Sequence, residues 1–597
     1  MVFNPLDRFY KSVIGAVSDK ETLVYRVKGF FDSVTLRVKK DGEDYVNYKM
    51  TKKDGFFELN LSLDVGLYFY HFSLNNGEYV GLNEKYVGEI TASPIDFQLT
   101  IYSNEYVPPK NLYGGVIYQI FPDRFYRSKE IKSIEKGKVY HKNWDEMPEF
   151  LPVNGKILNN DFFGGDLKGI KEKLDYLKEL GVTYIYLNPI FKAYSNHRYD
   201  TGDYMQIDPL LGDENDLVDL IFAAKNKGIK IILDGVFNHT GSDSIYFNKE
   251  GKYNSLGAYQ SKESPYFSWY NFKKYPDDYE SWWGIETLPS VIETNPDYVN
   301  FITGIDGVIE RYTKLGVDGW RLDVVDELPD FFVENIRNAV KRNNNEGLII
   351  GEVWEDATNK IAYNTRKQYF LGKQLDSVMN YPLKNAIIEF VKNGNVEELS
   401  YVVREQIDHY PRPVLNALMN VLSTHDTYRI ISALASVNVD GFTKSQMSKI
   451  QLSKAQLNDA IFKTKIATLL QFTLYGVPSV YYGDEIGMQG YKDPLNRQTF
   501  KWDKIGGEIF DWYKFLSKLR LEFTLFKQGE IEEIYAKNGC YVFKRFDEYS
   551  EMLVAINLGM ESVNLMYKGT LTNIIDNTKQ KNRIELAPNF FGVFINV

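Results

Sequence analysis

Four apolar, strand-like runs in this chain each stop on an acid, and that pattern restricts the fold more than any other feature. Ile231-Ile232-Leu233 ends on Asp234 and continues through Phe237-Asn238-His239. Gly319-Trp320-Arg321-Leu322 ends on Asp323, Leu348-Ile349-Ile350-Gly351 on Glu352, and Val421-Leu422-Ser423-Thr424 on His425-Asp426. A single Asp after a strand is explained by helix N-capping. Four in order, interleaved with Arg and His, describe a parallel β/α barrel, in which reactive groups come from the ends of several strands at one face.

The segments between them agree. Val116 to Phe121 reads as a buried strand, Leu167 to Leu180 as an amphipathic helix ending at Gly181, and Val182 to Leu187 as the next strand. Glu214 to Lys227, before Gly228, is a further helix, and Val477 to Tyr482 is counted as strand eight. Repeated right-handed βα crossovers put helices outside a closed parallel sheet. The expected fold is therefore α/β, a TIM (β/α)8 barrel over residues 108–525. An aromatic-rich stretch at about 240–298, with Trp269, Trp282 and Trp283, breaks the rhythm and reads as a subdomain inserted after strand three. A polar helical insertion around Val437 to Leu457 follows strand seven. Residues 1–107 alternate apolar and polar positions, with hairpin signals at Lys40-Asp41-Gly42 and Asn75-Asn76-Gly77, and read as an N-terminal antiparallel β-sandwich resembling a carbohydrate-binding module. Pro108-Pro109 is the linker, and residues 526–597 form a C-terminal antiparallel β-sandwich.

Composition narrows the partners. A net charge of -10 disfavours nucleic acid and anionic membrane, which select basic surfaces. No run approaches a membrane span, the first residues lack a secretory pattern, and the one cysteine, Cys540, excludes an internal disulfide framework. Cytoplasmic residence is expected. Aromatic residues reach 15%, more than core packing asks for, and their faces suit the C–H faces of sugars.

Within a strand side chains alternate, so Gly319, Arg321 and Asp323 point together into the barrel mouth. Arg321 beneath Asp323 is expected to hold that carboxylate ionised, as a nucleophile at an anomeric carbon requires. Glu352 lies between apolar Leu348-Ile349-Ile350 and Val353-Trp354, a setting that favours the protonated acid. Two carboxyls with opposed protonation describe a retaining glycosidase. Asp426 can bind hydroxyls as the ring flattens, and His239 and His425 can donate to the same ring. The sequence contains no H-E-x-x-H, C-x-x-C or G-x-S-x-G motif and no phosphate-binding glycine loop. A cation at Arg321 would repel a metal pair, so no metal is expected at the site.

These residues carry a family resemblance. Asp234 to His239, Gly319 to Asp323, Gly351-Glu352-Val353-Trp354 and Ser423 to Asp426 resemble the four short motifs of the α-amylase superfamily, in order. Tyr118 to Phe125, Gly164 to Leu167, Ser195 to Thr201, Leu288 to Val291 and Asp326-Glu327 resemble its neopullulanase, cyclomaltodextrinase and maltogenic amylase branch. The resemblance implies Asp323 as nucleophile, Glu352 as acid/base and Asp426 as transition-state stabiliser. It implies Tyr199 as the platform under the sugar, with His239, Arg321 and His425 contacting that sugar and Asp493 and Arg497 the next. Trp354 falls on the leaving-group side, and Asp234 is expected to hold Arg321 rather than touch substrate. The chain departs from the branch pattern at Ser290, where a Lys is usual, and at Glu355, where a His is usual. Branch members bind calcium through an Asn/Asp-rich loop after the first strand. Here that loop reads Arg127-Ser128-Lys129-Glu130-Ile131-Lys132, and no cofactor is expected unless Asp166 and nearby carbonyls supply the ligands.

The implied activity is hydrolysis of α-1,4 bonds in maltooligosaccharides, cyclodextrins, pullulan or starch, with retention and some transglycosylation. An α-1,6-acting oligosaccharide glucosidase is the alternative enzyme, and a non-catalytic sugar- or partner-binding relative the alternative class. A two-fold homodimer, assembled through the N-terminal sandwich, is hypothesised; sedimentation as a monomer at micromolar concentration would end that idea.

Overall fold

The structure, a computed structural model, describes residues 1–129 and 136–596. Its centre is an eight-stranded parallel sheet. The strands are β1 (Ile117–Ile120), β2 (Tyr184–Leu187), β3 (Lys230–Gly235), β4 (Gly319–Leu322), β5 (Leu348–Gly351), β6 (Ser377–Val378), β7 (Met419–Val421) and β8 (Val477–Tyr481). Neighbours in sequence are neighbours in the sheet, and β8 returns to β1 with Ser479 opposite Ile117. The seam between β6 and β7 is closed by one parallel bridge, Met379 to Met419. The barrel expected from the sequence is therefore present.

Alternation along the strands explains how such a barrel carries a polar mouth. Ile117, Tyr184, Ile232, Leu348, Ile350, Met419, Val421 and Val477 form one buried cluster, which fills the interior. The intervening residues Tyr118, Ile185, Ile231, Leu233, Trp320, Leu322 and Ile349 belong to the larger core between sheet and helices. Continuing the inward parity toward the C-terminal ends changes the chemistry from Ile117 to Gln119, from Ile232 to Asp234 and from Ile350 to Glu352. Gly319 keeps this inward row open, because a Cβ there would lie 2.7 Å from the Leu348 carbonyl oxygen. The helix before β2 is divided by Lys173 into Leu167–Glu172 and Leu174–Glu179, and it stops where Gly181 takes φ 86°.

The segment from Val236 to Asn295 has little regular structure, only two 3-10 turns and the hairpin Phe272–Lys274 with Asp278–Tyr279. Aromatic packing around Phe247, Trp269 and Tyr270 holds it together instead. A backbone bridge from His239 to Ser290 ties it to the end of β3.

The N-terminal residues form a seven-stranded and a three-stranded sheet around a common core. Tyr68 and Tyr70 fill that core, whereas Phe30 is fully exposed. This domain is joined to the barrel by charge as well as by packing. Lys11 lies 2.6 Å from Asp408 with both side chains wholly buried, and Tyr86 donates to the same carboxylate at 3.2 Å. Losing one partner of such a pair costs about 3–5 kcal/mol, so the contact fixes the two domains firmly. The C-terminal residues form one six-stranded antiparallel ladder. Cys540, Val542, Leu553 and Ala555 face its own core, while Tyr541, Phe543, Met552 and Val554 face the barrel core. Among the described residues no helix is long and apolar enough to cross a membrane.

Candidate active site

Arg321 is wholly buried and touches three carboxyls at once. Its Nη1 donates to Asp234 Oδ1 at 2.9 Å and to Asp323 Oδ1 at 2.8 Å, and Nη2 lies 2.8 Å from Glu352 Oε2. The three acids come from the ends of β3, β4 and β5, adjacent strands whose inward parity delivers them to one point. Glu352 is bound on both oxygens. The Val324 amide donates to Oε2 at 3.0 Å and the Trp354 indole to Oε1 at 3.2 Å. Val324 makes its bond from φ 39°, ψ 48°, a left-handed conformation unusual for a β-branched residue.

The charge balance differs from the sequence expectation. Burial pushes the Asp323 carboxyl well above the ordinary range; Arg321 opposes the shift but Glu352 and Asp234 reinforce it. Arg321 therefore acts against the shift without cancelling it, because one guanidinium is divided among three acids.

A second network lines the opposite wall. The Tyr199 hydroxyl donates to Asp234 Oδ2 at 2.8 Å, beside the Tyr186 hydroxyl at 2.6 Å. It accepts from Asn188 Nδ2 at 3.0 Å and meets His425 Nε2 at 2.6 Å. Burial, then Arg497 and Arg321, drive the His425 imidazole well below its ordinary range, so it is neutral. The Gln119 amide nitrogen sits 2.9 Å from Nδ1, which leaves the ring proton on Nε2, facing Tyr199 and Asp426 Oδ2 at 3.0 Å. Burial also lowers His239 to about 4. Its Nε2 is buried without a hydrogen-bond partner, and its ring stacks on Trp282 at 5.4 Å. Buried polar groups are normally hydrogen-bonded, so this nitrogen is an exception in the fold.

Asp426, one-third exposed at its side chain, lies 3.3 Å from Arg497 Nη2, whose Nη1 binds Asp493 at 2.8 Å. The chain leaves β7 at Val421, three residues earlier than expected. Asn496 captures it there, its amide donating to the carbonyls of Thr424, His425 and Thr427 at 3.3, 2.8 and 2.7 Å. Trp354, 44% exposed, stacks on Tyr381 with ring centres 3.8 Å apart, at the edge of the cleft beside Glu352. Contacts link nine of the ten residues singled out in the sequence into one network that is joined through Asp234; His239 lies outside it, against Trp282.

A family model described as alpha amylase, catalytic domain, matches residues 119–520. The chain belongs to the α-amylase family. It is 36% identical to an amylopullulanase of Thermoanaerobacter thermohydrosulfuricus over 606 residues, covering 90% of this chain but 40% of that protein's length. A cyclomaltodextrinase of Thermoanaerobacter pseudethanolicus is 31% identical, with 84% of this chain and 81% of the relative covered. Among solved structures, the type III pullulan hydrolase of Thermococcus kodakarensis superposes with a TM-score of 0.71 at 25% identity, over 100% of both chains.

In the loop after β1, the described polar groups already have protein partners. Asp166 accepts from Ser128 Oγ at 2.7 Å and from the Gly169 amide at 2.6 Å, where it caps a helix. The Arg127 guanidinium already occupies the carbonyls of His141, Lys142 and Phe163 at 3.2–3.4 Å. Glu130, Ile131 and Lys132 lie outside the described residues. Elsewhere Asp356, Glu405 and His409 bring ligand atoms within 4.8 Å of one another, with His409 Nδ1 already 2.6 Å from Asp356.

Sequence reasoning missed Tyr186, Asn188, Gln119, Asn496 and Val324. The first three sit on inward positions at or just beyond the ends of β1 and β2, so extending the parity argument to those strands finds them. Asn496 and Val324 carry no local signal.

Sharing one planar fork among three acids predicts that Arg321→Lys, which keeps the charge but not the fork, lowers kcat by about 100-fold or more. Circular dichroism should be unchanged; steady-state kinetics at wild-type levels would remove the shared-fork argument.

Proposed function

We propose that this chain is a retaining α-glucan hydrolase that cuts α-1,4-glucosidic bonds, with transglycosylation as a side reaction. The observation that carries the reading is the pair Asp323 and Glu352 at adjacent strand ends, bound to one guanidinium. Asp323 attacks the anomeric carbon while Glu352 gives its proton to the departing glycosidic oxygen. Water then attacks the glycosyl-enzyme, and Glu352 takes the proton back. Asp426, His425 and His239 bind ring hydroxyls, and Tyr199 lies beneath the sugar. Arg497 and Asp493 meet the next residue of the chain, and Trp354 borders the leaving group. Relatives named for cyclomaltodextrin and pullulan support an α-glucan substrate.

Asp323→Asn, Glu352→Gln and Asp426→Asn are each expected to lower kcat by several orders of magnitude in a folded protein. An Asp323→Asn enzyme with a tenth of wild-type turnover would falsify its role as nucleophile. Because burial raises the Asp323 carboxyl, activity should fall on acidification above the ordinary carboxylate range of about pH 4, as the nucleophile gains its proton. An acid limb below that value contradicts the assignment.

On pullulan the expected product is panose, from α-1,4 cleavage. Maltotriose would move the reading to α-1,6 bonds, and no product would exclude pullulan as a substrate.

Calcium independence is part of the proposal. Dialysis against a chelator should leave activity and Tm unchanged, since the oxygens a calcium ion needs are held by Arg127, Ser128 and the Gly169 amide. A loss restored by added calcium overturns it.

A further inference from the structure

The loop that follows Glu352 and Trp354 is held by the N-terminal domain of the same chain. Gln98, 3% exposed on the strand Phe97–Tyr102, donates through Nε2 to Thr358 Oγ1 at 2.7 Å. Asn359 Nδ2 donates back to Gln98 Oε1 at 2.7 Å. Thr358 and Asn359 converge on Asp356, which accepts from the Thr358 amide at 2.9 Å, from its hydroxyl at 2.8 Å, and from Asn359 at 3.3 Å. Asp356 also meets His409 Nδ1 at 2.6 Å, and the Ala357 amide donates to the Tyr410 hydroxyl at 3.0 Å. His409 ends the helix Val396–His409, whose Asp408 is the buried partner of Lys11. The N-terminal domain thus grips both the loop and the helix that braces it.

The position of this clamp matters for the chemistry. One residue, Glu355, separates Trp354 from Asp356, and Glu355 is exposed. Trp354 presents almost half of its surface to solvent yet supplies a hydrogen bond to Glu352. On the far side of that indole, the main chain is fixed by Asp356, Thr358 and Asn359.

We infer that Gln98 is a positioning residue for the acid/base Glu352, acting through the Asp356–Asn359 clamp and Trp354. The inference rests on the reading of Glu352 as the proton donor. In the first step the C1–O bond of a glucan breaks as the Asp323 oxygen bonds to C1, and the Glu352 proton passes to the departing oxygen. With α-maltosyl fluoride the C1–F bond breaks and fluoride leaves as the anion, so the donated proton is dispensable. A misplaced donor must therefore harm the glucan far more than the fluoride.

The test compares kcat/KM, which reports this first step, on maltotetraose and on α-maltosyl fluoride. Gln98→Met preserves the volume and deletes the hydrogen bonds to Thr358 and Asn359, together with one to Thr100 on its own strand. It is expected to lower kcat/KM on maltotetraose about tenfold or more and on the fluoride less than about threefold, since small displacements of a catalytic group carry large rate penalties. Thr358→Val, which removes the hydroxyl joining Gln98 to Asp356, should reproduce the split and serves if Gln98→Met does not fold. Equal losses on both substrates, or no loss on either, overturn the inference. Glu352→Gln is the reference. If it too affects both substrates equally, the reading of Glu352 as proton donor fails; if it splits them and the Gln98 and Thr358 variants do not, only the positioning role fails.

Discussion

A single guanidinium, wholly removed from water, organises this active site. Burying an unpaired charge is prohibitive, and Arg321 is tolerable in the barrel only because Asp234, Asp323 and Glu352 surround it. The converse also holds: three acids at adjacent strand ends would repel one another without it. The barrel supplies the geometry. Its interior is apolar at the level of Ile117, Ile232 and Leu348, and the polar groups begin only where the inward-facing row reaches the open end. The ion cluster sits on a packed floor, which excludes water from one side and leaves the cleft on the other.

Much of this was legible in the sequence because period-two alternation is a local property. The runs ending on Asp234, Asp323 and Glu352 specify strand, direction and facing residue together, so the pairing of Arg321 with Asp234 and Asp323 could be read from them, whereas Glu352, expected in an apolar setting, joins the same guanidinium. The limits are equally physical. β6 has only Ser377 and Val378 in its ladder, too few residues to show a period. β7 ends at Val421, and the residues that follow it are held instead by Asn496, 71 residues beyond His425. The upward shift of the Asp323 carboxyl depends on how one cation is divided among three acids and on how deeply they are buried, and neither quantity is a property of a local segment.

The departures from the branch pattern also find a structural setting. Ser290 pairs through its backbone with His239, so the inserted subdomain meets the end of β3 by main chain at that point. Glu355 forms an ion pair with Lys360, which also lies 3.3 Å from Asp326 in the loop after Asp323. A lysine from the β5 loop thus bridges the loops that follow β4 and β5. That rim is built from charge pairs, and its electrostatics are set locally.

Val324 gives the site a mechanical property. The left-handed turn directly after Asp323 points an amide at Glu352, so these two residues are joined by a few main-chain bonds and one hydrogen bond. A conformation of this kind costs about 1–3 kcal/mol and persists only where its surroundings enforce it. The main chain after β4 is therefore coupled directly to the Glu352 carboxyl, with no side chain between them.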